Sequence, residues 1–229
     1  MHHSPRIPEI TQRDRFVKRV LATRTVYAVS GEEGLGRVPS RRWKGREVTL
    51  LWSSRAEAER WANVIAVNPR IKELPLGVVL SELLPSLAKF RRLIGPDWGS
   101  EPIEAEVEPG DLAERLRLEA IEHFAHKVMV TRKVFMLEDS SGPALLVSAT
   151  SPDLLFLPCW AEREAAEARI EGPWRDMMAI EIPLHNFLEQ TLGWLAGRGW
   201  MVAPDHWEGA GALELQPDDL KRRFSLAHA

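Results

Sequence analysis

The sequence predicts an α+β protein built from two tandem copies of one small domain. Each copy is expected to hold an antiparallel sheet of about five strands with helices packed on one face. Two observations predict this. A single offset of 108 residues (124 − 16 = 108) aligns the chain with itself almost from end to end. Within each copy, segments with helical spacing of apolar residues alternate with short apolar runs bounded by turn residues.

The internal repeat keeps one register throughout. It pairs Phe16 with Phe124, Trp52 with Trp160, and Asp97 with Asp205. Chance gives a few such matches, but not one register with the same tryptophans and prolines, so the pattern indicates a tandem duplication. The predicted domains are residues 11–118 and 119–226.

Each copy is predicted to contain the same elements in the same order. A helix opens the copy, followed by a strand, a glycine-marked turn and two more strands that end at Trp52 or Trp160. A second helix follows, and then a core helix beginning at Pro75 or Pro183, where prolines commonly start helices. Short strands at 93–94, 104–107, 201–202 and 212–215 complete the sheet.

The last helix of the first copy is predicted to continue into the first helix of the second. Residues 111–131 contain neither proline nor glycine, so nothing in this stretch favours a break. The two copies are therefore expected to be joined by one continuous helix.

Composition indicates a globular protein whose net charge produces no strong electrostatic field. Hydrophobic residues make up 45% of the chain and charged residues 28%, and the formal net charge is −3. That balance does not favour nucleic acid or an anionic membrane as a general partner. The single cysteine, Cys159, excludes an intrachain disulfide, and the first residues lack the apolar core of a signal peptide. We expect a cytoplasmic protein that does not cross a membrane.

Several segments carry a resemblance to a known family. The segments LLWSSRAEAERW, LPCWAEREAAEA, EIPLHNFLEQTLGWLAGRGWMVAPD and LELQPDDLKRRF look like the uncharacterised bacterial family called domain of unknown function 2750, in tandem. The first copy departs from it at Val79 and Arg91. A looser similarity is to the SseB N-terminal-like domains. The resemblance implies a small bacterial cytosolic domain and supplies no catalytic residues.

Three features of the sequence have side chains that suit either metal binding or catalysis, or a purely structural role. His123 and His126 have a spacing that suits a metal, but also suits a solvated helix face. Cys159 follows a strand and precedes a helix, which fits either a thiolate nucleophile or a small buried side chain. Asp205 and its counterpart Asp97 follow a proline, which fits either a general acid or base or an aspartate that closes a turn.

The first copy also has a basic hairpin tip that the second lacks. The segment RVPSRRWKGREV surrounds Trp43 with Arg41, Arg42 and Lys44, where the second copy has LLVSATSPDLLF. Such a tip suits phosphate binding and base stacking, or a solvated hairpin whose charges prevent edge aggregation. Tryptophan and arginine often dominate protein interfaces. Trp52 and Trp160 are equivalent, whereas Trp43, Trp98, Trp174, Trp200 and Trp207 have no tryptophan at the equivalent position of the other copy.

These observations favour a non-enzymatic binding or adaptor module whose partner is another protein. The alternatives are a small-ligand protein or hydrolase-type enzyme with a pocket between the repeats, drawing on Asp205, His206, His185 or Cys159, and a nucleic-acid binder acting through the basic tip. No cofactor and no metal is expected. The candidate binding residues are Arg41, Arg42, Trp43, Lys44, Trp98, Asp205, His206 and Trp207.

Overall fold

The computed structural model describes residues 7–99, 104–148, 151–206 and 213–226. The chain divides into two compact units, Met1–Glu119 and Ala120–Ala229. Each unit combines helices with β-strands, which confirms the predicted α+β class.

The first unit opens with a helix, as predicted. Its elements in chain order are α1 (Ile7–Thr23), β1 (Thr25–Gly31), β2 (Gly34–Leu35), β3 (Arg37–Pro39), β4 (Glu47–Trp52), α2 (Arg55–Ile65), β5 (Arg70–Pro75), α3 (Leu76–Val78), a π-helical segment (Val79–Leu83), α4 (Leu84–Lys89) and β6 (Leu93–Pro96).

A single helix, α5 (Pro109–Thr131), spans the boundary between the units, which confirms the continuous helix predicted there. The elements that follow are β7 (Lys133–Asp139), β8 (Gly142–Pro143), β9 (Leu146–Val147), β10 (Leu155–Cys159), α6 (Arg163–Glu167), a 3-10 turn (Gly172–Trp174), β11 (Met178–Pro183), α7 (Leu184–Asn186), a π-helical segment (Phe187–Thr191), α8 (Leu192–Arg198), β12 (Met201–Pro204) and α9 (Pro217–Leu226).

The sheet of the first unit is organised around β1 and β4. These strands pair directly at Tyr27–Trp52 and Ala28–Leu51. Beyond that point they separate, with β2 pairing with β1 and β3 pairing with β4. Only Gly36 lies between β2 and β3, so the two form one bent strand between the diverging ends of β1 and β4. Strand β5 pairs with β1, and β6 pairs with β4, which gives about five strands.

In each unit, one strand pair is parallel and so departs from the predicted antiparallel sheet. Strand β6 runs parallel to β4, with Leu50 opposite Gly95, and β12 runs parallel to β10 in the second unit. A parallel pair needs a long crossover, and the chain between β4 and β6 supplies one through α2, β5 and the core helix. The sheet is therefore mixed.

The second unit reproduces the register of the first at the same offset of 108. The Tyr27–Trp52 pair recurs as a bridge between Phe135 and Trp160, and the bridge between Ile94 and Val107 recurs at Val202 and Leu215. The two copies therefore share one architecture down to individual residue pairs.

Helical cover extends to both faces of the sheet, which corrects the expectation of one covered face. Successive side chains of a strand point to opposite faces, yet every residue from Val48 to Trp52 is buried. Val48, Leu50 and Trp52 cluster with Ala58 and Ala62 of α2. Thr49 and Leu51 therefore face the other side, where α1 contacts the neighbouring strands β1 and β6.

Gly95 has a steric reason to be glycine. A Cβ atom built there would lie 2.6 Å from Leu50 Cδ2 and 2.7 Å from Trp98 Nε1. In the second unit the equivalent position is Ala203, and both obstructing neighbours differ, because proline replaces Leu50 and His206 replaces Trp98. The smaller imidazole coexists with the extra methyl group.

We predict that Gly95→Ala destabilises the first unit by about 1–3 kcal/mol, the usual range for overpacking a close-packed core. Urea unfolding followed by circular dichroism measures this. Gly110→Ala is the matched control, because a Cβ at that helical position meets no atom within 4 Å. A Gly95→Ala midpoint equal to that of Gly110→Ala would contradict the steric explanation.

Candidate functional site

The basic hairpin tip is tied to the rest of the first unit. The guanidinium of Arg42 forms an ion pair with Glu9 at 2.5 Å. The backbone N–H groups of Arg42 and Trp43 donate to Ser40 Oγ, and Trp43 packs against the core cluster under α2. Arg41 and Lys44 are exposed. The tip therefore has two exposed residues among its four candidates.

Trp98, predicted as a binding residue, is a core side chain. Its exposed fraction is 3%, and its Nε1 donates to the carbonyl of Ala105 at 2.7 Å. Its own carbonyl accepts a hydrogen bond from Trp52 Nε1 at 3.1 Å. The guanidinium of Arg41 covers the ring at 5.5 Å from its centroid. Trp98 therefore cannot act as an exposed anchor, because its ring is already covered.

Asp97 and Asp205 each link the end of one strand to a residue just after the neighbouring strand. Both have a left-handed backbone, with φ of 46° and 44°. The carboxylate of Asp97 accepts the Ser53 N–H at 2.7 Å and the Ser53 hydroxyl at 2.8 Å, and that of Asp205 accepts the Ala161 N–H at 3.0 Å. Each carboxylate thus fixes the turn before a helix, so the turn interpretation has direct geometric support.

We predict that Asp97→Ala destabilises the first unit by about 2 kcal/mol, because it leaves the buried Ser53 N–H without an acceptor. Asp97→Asn is expected to lose less, since asparagine tolerates a left-handed backbone and keeps one acceptor oxygen. Urea unfolding of both variants measures the difference. The exposed Asp153→Ala is the control, and equal losses in Asp97→Ala and Asp153→Ala would rule out the proposed role of the carboxylate.

His206 lies beside Asp205 in a half-buried position. Its ring centroid is 5.3 Å from that of Phe156, and its carbonyl accepts the Trp160 Nε1–H at 2.8 Å. Burial lowers the pKa of His206 from 6.5 to about 4, with a further contribution from the charge of Arg169. The imidazole is therefore neutral at pH 7 and is protonated only near pH 4 and below.

The depressed pKa of His206 predicts a loss of stability in acid. Below the unfolded-state pKa of about 6.5 the unfolded chain binds a proton that the folded protein does not take up until about pH 4. Stability should therefore fall by roughly 2 kcal/mol between about pH 6.5 and pH 5. Urea unfolding of native protein and His206→Gln across this range isolates the effect, since the variant should lose most of this slope. Parallel pH dependences in the two proteins would contradict it.

The other residues weighed for catalysis or metal binding are one buried cysteine and three exposed histidines. Cys159 is fully buried, and burial together with the charge of Asp205 raises the pKa of its thiol well above its ordinary value. Its Sγ lies 3.8 Å from the carbonyl of Ala203. His123, His126 and His185 are exposed on helices. Trp207 lies outside the described residues.

Position-matched cation–aromatic pairs occur where the core helix of each unit ends. In the second unit the Arg198 guanidinium lies 4.8 Å from the Trp194 ring centroid and 5.5 Å from that of Trp200. The two indoles meet edge to face at 5.2 Å. In the first unit Arg92 lies 5.7 Å from the Phe90 centroid. Phe90 and Arg92 occupy the positions of Arg198 and Trp200, so cation and ring have changed places.

The same helix cap holds both pairs. Trp200 N–H donates to the Leu195 carbonyl and Gly199 N–H to the Ala196 carbonyl, the two bonds of a Schellman motif. The first unit has the same bonds, from Arg92 to Leu87 and from Arg91 to Ala88. Gly199 is left-handed at φ 68°, as this cap requires, but its counterpart Arg91 adopts φ 56°.

Sequence reasoning missed a serine–glutamate pair that is present in both units. Ser40 Oγ donates to Glu106, and Ser148 Oγ donates to Glu214, each at 2.5 Å. All four residues obey the offset of 108, so the sequence did contain the signal. The bonds attach the hairpin of each unit to the bridge-forming segment that precedes α5 or α9.

Across 7–99, 104–148, 151–206 and 213–226, no group of three or more His, Cys, Asp or Glu side chains is arranged to hold a metal ion. In the same ranges no helix is both long enough and apolar enough to cross a membrane.

A family model for "Protein of unknown function (DUF2750)" matches residues 13–116 and again residues 121–224. The chain belongs to the DUF2750 family. It holds two copies of the family's domain in tandem, which confirms the resemblance drawn from the sequence. A search of curated proteins gives no match to this DUF2750 chain.

Two solved structures show a distant likeness to this DUF2750 protein. Tic22 from Anabaena, described as a protein-transport protein, is 14% identical, with 80% of this chain and 89% of that chain covered and a TM-score of 0.26. Tic22 from Plasmodium falciparum is 13% identical, with 75% and 84% covered and a TM-score of 0.25. Similarity at this level carries no functional argument.

Proposed function

We propose that this DUF2750 protein is a non-enzymatic binding module whose partner is another protein. The observation that carries the proposal is the cluster of Trp194, Arg198 and Trp200, called here the tryptophan–arginine cluster. Arginine and tryptophan are the side chains whose removal most often costs binding energy at protein interfaces.

The tryptophan–arginine cluster is ordered before any partner arrives. The Schellman cap fixes the backbone that carries Arg198 and Trp200, and the two half-buried rings support the guanidinium. A guanidinium stacked on rings loses less side-chain freedom on binding than a free one, so less of the interaction energy is spent on ordering. Arg198 itself remains exposed.

The hairpin tip of the first unit is the second part of the proposed protein-binding surface. Arg41, Trp43 and Lys44 remain in the proposal, with Arg42 acting through its ion pair to Glu9. Trp98, Asp205 and His206 have structural contacts that support an indirect role. The repeat limits of 11–118 and 119–226 and a bacterial, cytoplasmic setting belong to the same proposal. The bacterial setting rests on the family resemblance, and the cytoplasmic setting also rests on the single cysteine.

We predict that Arg198→Ala and Trp200→Ala each weaken partner binding by about 2 kcal/mol or more, the size of an interface hot spot. The full-length protein is used as bait in a native lysate, the recovered protein is purified, and its affinity for each variant is measured by calorimetry. Circular dichroism verifies that each variant is folded.

Val130→Ala and Met178→Ala are matched controls, because both remove exposed apolar atoms outside the cluster, at 71% and 67% exposure. They should bind as the native protein does. Native-like affinity of both cluster variants would contradict the assignment of the surface. Turnover of a substrate by the purified chain would contradict the non-enzymatic proposal.

A further inference from the structure

A cationic cleft lies beside the helix cap of the first unit. Its volume is about 380 Å³, within the range of small-ligand sites. Its lining has four basic side chains, one carboxylate and one aromatic ring, contributed by Lys44, Gly45, Arg46, Glu47, Phe90, Arg91 and Arg92. The net charge of the whole protein is −3, so this concentration of positive charge is local.

Two of the four cations are fixed in place by carboxylates. Arg46 binds both oxygens of Glu108, at 2.5 and 2.9 Å, and its Nε donates to the Arg91 carbonyl at 2.8 Å. Arg92 Nε lies 3.5 Å from Glu47, which Arg37 shares at 3.2 Å. These contacts order the cleft. They leave Lys44 and Arg91 as exposed side chains at its surface.

The cations exceed the carboxylates that hold them. Lys44, Arg46, Arg91 and Arg92 face Glu47 in the lining, and Glu108 pairs with Arg46 from outside. Glu106, which accepts hydrogen bonds from Ser40 Oγ and the Arg41 N–H, keeps its negative charge, and Arg37, which shares Glu47, supplies a balancing positive charge. The remaining excess of about two positive charges suits a phosphate group better than a single carboxylate, since phosphate monoesters carry about −1.5 to −2 at pH 7.

The backbone of Arg91 is an independent observation that favours a role for this residue. A left-handed conformation is costly for arginine, and the second unit has Gly199 at the same cap position. Such strain is one of the features found at ligand sites, and the exposed cationic side chain at this position adds the chemistry. The helix dipole favours cations near the end of α4, but it does not account for Lys44 and Arg46, which come from the hairpin loop.

The second unit lacks the whole set of cations. Proline, leucine, glycine and tryptophan stand at positions 152, 154, 199 and 200, equivalent to Lys44, Arg46, Arg91 and Arg92. The cleft chemistry therefore belongs to the first repeat and is independent of the tryptophan–arginine cluster in the second.

We propose that this cleft binds phosphate groups, with Lys44 and Arg91 contacting the phosphate and Arg46 and Arg92 held ready around it. Phe90, 64% exposed, offers a ring surface for a nucleoside base attached to the phosphate. This activity is separate from the proposed protein binding, and its test requires no partner.

The test is isothermal titration of the full-length protein with inorganic triphosphate, ATP, a short oligothymidylate and a hexaglutamate peptide, at low and moderate salt. Triphosphate should bind, and more weakly at higher salt. Lys44→Ala/Arg91→Gly should lower its affinity at least about tenfold, because two charge-assisted contacts are removed. Arg91→Gly suits the left-handed cap, so the single variant should melt no lower than the native protein and keep binding separable from folding.

Lys221→Ala/Arg222→Ala is the control, because it removes one lysine and one arginine from exposed positions of α9. Native affinity in this control supports the cleft. Tighter binding of ATP than of triphosphate assigns the ligand as a nucleotide, and tightest binding of oligothymidylate assigns it as single-stranded nucleic acid. The proposal is overturned if no phosphate probe binds, if the control loses as much affinity as the cleft variant, or if only the glutamate peptide binds.

Discussion

Burial of the central strand on both of its faces is the constraint on which each repeat depends. In a strand covered on one side, a change in side-chain volume can be relieved toward solvent. Strands β4 and β10 have no such outlet, because every residue from Val48 to Trp52 is buried and the same holds from Phe156 to Trp160. Substitutions there must therefore be matched by neighbours, and the two repeats show such matching.

At two neighbouring core positions, the repeats exchange a large side chain and a smaller one. The first repeat pairs Val48 with the large Trp98, whereas the second pairs the larger Phe156 with the smaller His206. Gly95 becomes alanine where the indole is replaced. A gain in size at one position is accompanied by a loss at its neighbour, which is the kind of core substitution that proteins tolerate best. This explains how the repeats diverged in sequence without any shift in strand register.

Much of this architecture was accessible from the sequence because duplication turns one chain into an internal comparison. The offset of 108 located the strands, the helix shared by the units and the paired aspartates. It did not reveal the parallel pairing of β6, because a four-residue strand after a long crossover carries no signal of its direction. The sequence makes Trp98 a candidate surface residue, because the equivalent position holds His206 and not a tryptophan. The exchange of volume with Phe156 that explains this difference depends on contacts between residues far apart in the chain.

Surface side chains differ between the repeats without the matching changes that are seen in the core. At the end of the core helix, the Schellman bonds hold the backbone in one shape in both repeats, so the side chains projecting from it changed without affecting the fold. The second repeat has Arg198 beside two indoles, and the first repeat has a group of cations with Phe90. A shared cap therefore supports two chemically different surfaces. The strained Arg91 marks the point where the cationic surface costs stability that glycine would have preserved. Left-handed arginines also follow α1 and α5, at Arg24 and Arg132, so it is the exposed cationic cluster around Arg91, and not the strain alone, that points to binding at this cap.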